Sequence, residues 1–256
     1  MTPAFAPSPP YFKSFFGQRL RFNGPTGTLL LVGFSAVRFA LALHANVTKS
    51  YQIVAFVFVA MALLPLVLLT RAGRRRVGLV WPTRWAGVLL GGGLGLLSCT
   101  ALFYGARLFF GLGEGNPLVY ISKTYAKLPH VLSAGDRLTY FLIFSATSMV
   151  FSPLGEELFY RGVVHECFVP SLGGKQAAVV DSAAFALVHL AHFGLVYGGS
   201  SWRLLPGPAL LWVVSLFGIC LLFSVARTKS GSVLGAMAAH AAFNVTMNYF
   251  IFYHVL

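Results

Sequence analysis

The sequence predicts an all-α, polytopic transmembrane bundle of about seven to eight spans, counted from the lengths of its apolar runs. Three observations carry this. The 256 residues are 57% hydrophobic and only 10% charged, against about 25% charged in an ordinary soluble domain. Long apolar runs alternate with short connections. Lysines and arginines gather in those connections, which is the positive-inside pattern. The net charge of +13 therefore speaks for a lipid bilayer as partner. Nucleic acid is not expected, because no basic stripe with interleaved aromatics is present. Cys99, Cys167 and Cys220 lie in apolar surroundings without a CxxC pair and read as packing residues.

Residues 1–25 read as a cytoplasmic or interfacial segment, and residues 26–256 as one integral-membrane domain. Met1 to Pro10 is proline-rich and lacks a basic stretch followed by an apolar one, so no cleavable signal peptide is expected. Phe12, Phe15 and Phe16 alternate with Lys13, Arg19 and Arg21, which suits a short helix on the membrane surface. The first span, near 26–47, carries Arg38 and His44 and should face protein on one side. The second, near 51–70, is cleanly apolar. Arg71 to Arg76 forms the densest basic cluster. The third span, near 85–112, is rich in glycine from Gly91 to Gly95, which permits close helix approach.

A polar connection near 113–136 holds Lys123, Lys127 and His130 and has room for an interfacial helix or part of a lid. The fourth span runs from about Leu138 to Phe168, with Pro153 expected to kink it just before Glu156. Pro170 to Gly174 reads as a turn. The fifth span, near 175–197, contains Asp181, His189 and His192, and a loop with Gly198, Gly199, Arg203 and Pro206 follows. The sixth span lies near 208–226. The seventh, near 232–253, carries His240 and Asn244. The basic residues favour a cytoplasmic N-terminus. Three basic residues in the long 113–137 connection are the main dissent.

Carboxylates are scarce, and three of the six acidic residues, Glu156, Glu157 and Glu166, fall in one apolar stretch. An ionisable group inside a membrane costs a few kcal/mol and marks function by default. An ion pair between Glu157 and Arg161, at i,i+4, accounts for one glutamate and leaves Glu156 unpaired. At about 1.5 Å of rise per residue, Glu156, His189, His240 and Asn244 reach similar depth on three different helices. One buried histidine would ordinarily be packing, but four polar groups at matched depth indicate a polar cavity. Their chemistry is that of acyl-bond hydrolysis by activated water. A desolvated glutamate can serve as base, and a histidine with an asparagine amide can stabilise an oxyanion.

These residues spell a known pattern. Glu156-Glu157-Leu158-Phe159-Tyr160-Arg161 reads EExxxR, Phe185-Ala186-Leu187-Val188-His189 reads FxxxH, and His240-Ala241-Ala242-Phe243-Asn244 reads HxxxN. The ordered trio over about 138–253 resembles the CPBP intramembrane proteases, which include the CAAX prenyl proteases, the bacteriocin-processing Abi enzymes and the bacterial myxosortase branch. The resemblance implies a glutamate-type endopeptidase with no cofactor and no metal. It implies that Glu156 and His189 activate water and that His240 and Asn244 form the oxyanion site. Glu157 and Arg161 would support the motif helix and substrate pocket, and Phe185 would pack beneath His189. The implied partner is a membrane-anchored protein or peptide: a C-terminal sorting tail, a leader peptide or a prenylated C-terminus. The alanine-, glycine- and arginine-rich composition points to a bacterial inner membrane and weighs against prenyl substrates.

Two alternatives compete. A non-catalytic immunity or scaffold protein of the same fold would not need all four catalytic side chains. A zinc-dependent protease could ligate metal through Glu156, His189 and His240, although no HExxH helix is present. Among the remaining polar residues, His192 is poised to line the cavity and Tyr160 to pack. Asp181 reads as a partner for a basic residue near the inner interface. His165 and Glu166 read as residues at the headgroup end of a helix.

Overall fold

The computed structural model describes residues 10–48, 52–125, 128–129, 131–198 and 200–256. The first nine residues of the N-terminal segment, Lys49, Lys127, His130 and Gly199 lie outside the described residues. The rest is a helical bundle. In chain order come α1 (Ser14–Gly17), α2 (Gly24–Thr48), α3 (Gln52–Leu68), α4 (Arg71–Arg76), α5 (Trp85–Phe110), α6 (Pro117–Ser122) and α7 (Ala134–Glu156). A π-helix (Glu157–Val164) leads into α8 (His165–Val188) and a short 3-10 turn. Strands β1 (Leu195–Gly198) and β2 (Ser201–Leu204) precede α9 (Pro206–Ser230) and α10 (Val233–Phe250).

Among the described residues four stretches are long and apolar enough to cross a membrane: Gly24–Thr48, Trp85–Phe110, Ala134–Ala191 and Pro206–Ser230. The third of these folds back on itself. Gly173, inside the expected turn, has φ 78° and ψ 165°, a backbone conformation that glycine adopts without strain. His165 and Asp181, sixteen residues apart, meet at 2.8 Å, where a straight helix would separate them by about 24 Å. The pairs His165–Asp181 and Arg161–Phe185 are both centred on residue 173, as in a helical hairpin. Helix α3 is shorter than a full span.

The start of α7 lies one turn earlier than the hydropathy suggests. Ser133 and Asp136 form a reciprocal capping box there. Past Pro153 the distortion appears as π-helix from Glu157 onward. The fifth helix ends at Val188, short of the expected 197, and a two-stranded antiparallel hairpin pairing Tyr197 with Trp202 replaces the expected loop. The tail is also more tightly held than a surface helix. Phe12 is buried against Phe22 and bridges to Leu69, and α1 is only four residues long.

Helix α10 packs against α5, α7 and α9. Small residues allow it. A Cβ on Gly91 would strike the carbonyl of Gly235, and one on Gly95 would strike the carbonyl of Ala239. These glycines, four apart on one face of α5, let two backbones touch. Gly155 does the same for α7 against the Phe58 carbonyl of α3. The Gly95 and Gly155 contacts each lie one residue from a motif side chain, His240 and Glu156 respectively. The three cysteines are buried.

Candidate active site

Glu156 and Glu157 straddle the junction between α7 and the π-helix. Consecutive helical residues point about 100° apart, and the i→i+5 bonding of a π segment widens the turn. The two carboxylates therefore serve different neighbours. Glu156 faces α2, where it forms an ion pair with Arg38. The expectation that Glu156 stands unpaired is thus corrected: its counter-charge comes from the first long helix, more than a hundred residues earlier. Glu157 faces α10 and accepts from His240 Nδ1 at 2.8 Å. Its other oxygen lies 3.3 Å from Arg161 Nε, the i,i+4 pair expected from sequence. Glu156, Glu157, Arg161 and Arg38 are all at most 2% exposed.

His240 lies between the glutamates, with Nε2 3.7 Å from Glu156 Oε2. Ser152, one turn before Glu156, donates to that same oxygen at 2.7 Å. Ser152 has a single proton, so its 3.3 Å contact with His240 Nε2 has the ring as donor. A carboxylate only accepts, so Nδ1 also donates. His240 is thereby a donor at both nitrogens. Arg38 and Arg161 meet Glu156, Glu157 and Asp181 in one buried network that His240 bridges. Such pairing is what burial of charge requires.

His189 reaches the network differently. Its Nδ1 donates to the Phe185 carbonyl at 2.6 Å. Nε2 then accepts from Arg38 Nη2 at 3.0 Å. Arg38 therefore stands between His189 and Glu156. The Phe185 ring stacks on His189 at 4.2 Å, as the resemblance implies. Asn244, one turn after His240, donates to the Ser148 carbonyl at 2.9 Å.

Glu156, His189, His240 and Asn244 line one cavity of about 380 Å³, together with Arg38, Ser152 and His192. Apolar side chains such as Phe58, Phe151, Leu216, Phe243 and Met247 complete its wall. Glu157 and Arg161 lie behind the wall. Arg161 is fully buried over the Phe185 ring at 4.6 Å and faces Asp181 at 3.7 Å. Asp181 is a partner for basic residues, as read, but it is wholly buried inside the hairpin. His165 pairs with it and is also buried. Glu166 bridges Arg76 and Arg227, tying two basic connections together. Tyr160 is buried against Phe159 and Phe185 and contacts Ser35 at 3.2 Å.

Two residues of the site escaped sequence reasoning. An arginine in a membrane span is a signal in its own right, so Arg38 was visible as an anomaly, although its partner was not. Ser152 carries no such signal, because serine is common in membrane helices. Among the described residues no group of three or more His, Cys, Asp and Glu is arranged to hold a metal. The position between Glu156 and His189 is taken by a guanidinium.

One family model matches the chain. Residues 138–246 are similar to a family model described as Rce1-like, type II CAAX prenyl endopeptidase. Comparison with curated proteins and with solved structures gave no match. The matched region contains all seven motif residues, from Glu156 to Asn244, and the family is one of endopeptidases acting in membranes. The match singles out no branch of that family. Arg38 lies outside the matched region.

Proposed function

We propose that the chain is a glutamate-type intramembrane endopeptidase that hydrolyses a peptide bond of a membrane-anchored protein or peptide. The observation that carries this is the lining of the cavity. A charged carboxylate and two polar donors share a chamber that is otherwise largely apolar. Glu156 Oε2 takes a proton from a water in the cavity, and the water oxygen attacks the scissile carbonyl carbon. The carbonyl oxygen becomes an oxyanion that His240 Nε2 and Asn244 Nδ2 stabilise by donation. Collapse of the tetrahedral species breaks the C–N bond. The departing amine takes the proton that Glu156 holds, so the carboxylate is regenerated. Glu157 positions His240 through Nδ1, and His189 acts on Glu156 through Arg38 as well as through the cavity. No metal enters these steps.

The substrate is a C-terminal sorting tail, a leader peptide or a prenylated C-terminus, held beside the bilayer by its own anchor. The basic connections set the N-terminus in the cytoplasm, with the chain in a bacterial inner membrane. Residues 26–256 form the protease domain and 1–25 its interfacial strap.

The deciding experiment compares wild type with Glu156→Gln, purified in detergent, on a panel of prenylated and membrane-anchored peptides, with and without a chelator. Glutamine keeps size and polarity but cannot act as base. Cleavage should fall by about 100- to 10,000-fold, and wild-type cleavage should be indifferent to the chelator. Retained cleavage by Glu156→Gln would sink the mechanism. Loss of wild-type cleavage on chelation would favour the zinc reading instead.

A further inference from the structure

Arg38 belongs to α2, which is remote in sequence from the Rce1-like match, yet it lines the cavity between Glu156 and His189. One nitrogen, Nη2, pairs with Glu156 Oε1 and donates to His189 Nε2. The guanidinium plane is itself confined, with its carbon 5.6 Å from the Phe58 ring centre and 5.7 Å from that of Phe185. His189 cannot turn away, because Nδ1 is committed to the Phe185 carbonyl. The consequence falls on Glu156. With Oε1 taken by Arg38, the carboxylate presents Oε2 towards Ser152 and His240. Among the described residues Nε and Nη1 of Arg38 are buried without a hydrogen-bond partner, so the group has donors to spare beyond its structural contacts.

We infer that Arg38 is a positioning residue for the general base: it captures one oxygen of Glu156, aims the other at the water, and transmits the fixed orientation of His189 to the carboxylate. This rests on the reading of Glu156 as base. Lysine could supply the charge, but a point charge on a flexible stem cannot sit flat between two rings while bridging carboxylate and imidazole. A purely structural ion pair would require the charge alone.

The test uses the full-length protein in detergent and a substrate cleaved by wild type. Arg38→Ala should lower kcat by about 100-fold or more, the scale of losing one preorganised donor, with KM nearly unchanged. Guanidinium chloride at low millimolar concentration should restore about a tenth or more of the lost kcat, since the deletion opens a guanidinium-sized space in the cavity wall. The same salt should leave wild type and Glu156→Gln unaffected. If Arg38→Ala does not fold, Arg38→Lys decides: kcat should fall about tenfold or more at an unchanged melting temperature. Wild-type kcat in either variant overturns the inference, as does a folded Arg38→Ala that guanidinium cannot restore. Glu156→Gln runs in parallel. If that variant is dead and Arg38→Ala is fully active, only the role of Arg38 fails. If Glu156→Gln is active, the peptidase mechanism itself fails.

Discussion

The buried charges fall into two regions, one on each side of His240. On the cavity side, Arg38, Glu156, Ser152 and His189 line a chamber that can take water and substrate. On the other side, Glu157, Arg161, Asp181 and His165 pack against one another at the α8 hairpin and do not line that chamber. Both regions pair carboxylate with guanidinium, and the paired side chains are buried in both. Access to the cavity, not the chemistry of the pair, separates reaction from bracing. His240 couples the regions, with Nδ1 on the dry side and Nε2 on the wet side.

The contrast is sharpest between adjacent glutamates. Glu156→Gln should cost activity and the stability of one buried ion pair, that with Arg38, while leaving the hairpin intact. Glu157→Gln should cost activity and the hairpin as well. It removes the counter-charge of a fully buried arginine and the acceptor of His240, and breaking such a pair costs about 3–5 kcal/mol. Thermal unfolding in one detergent would rank the two variants. Equal melting temperatures would dissolve the distinction between the regions.

A smaller effect should come from the helix seam that carries His240. Gly95→Val places atoms against the Ala239 carbonyl, in a contact already too close for a Cβ. Overpacking costs about 1–3 kcal/mol. Because the displaced backbone adjoins His240, activity should fall along with stability. Gly92→Val on the same helix meets nothing nearby and should be mild by both measures. Similar losses from the two variants would show that the seam does not position the site.

The smallest effect belongs to an exposed ion pair at the β1–β2 hairpin. Arg203 and Glu114 meet at 3.1 Å but are more than half exposed. Glu114→Gln should alter stability by no more than about 1 kcal/mol, as exposed pairs do, and leave cleavage unchanged. A larger shift would mean that the β1–β2 hairpin takes part in the site.

Much of the site was readable because membranes make polar residues conspicuous. Glu156, His189, His240 and Asn244 stood out against apolar sequence, and helical rise alone brought them to similar depth. The Glu157–Arg161 pair followed from i,i+4 spacing. The β1–β2 hairpin was missed because its alternating residues are few and sit among glycines and serines. The early start of α7 was missed because hydropathy ignores capping: Ser133 and Asp136 begin the helix before its apolar run does.

Composition and hydropathic period were enough to establish the helical membrane bundle, since a bilayer leaves the backbone few other ways to satisfy its hydrogen bonds. The motif spacing was enough to nominate the reactive side chains, because spacing along a helix is a local property. Which charge neutralises which was not local. Arg38 and Glu156 are joined by the packing of α2 against the π-helix and α8 that follow Glu156, and the direction of each glutamate depends on the π-helix at 157–164. Pairing of buried charges is a property of three-dimensional contact, so it became visible only once the helices were in place.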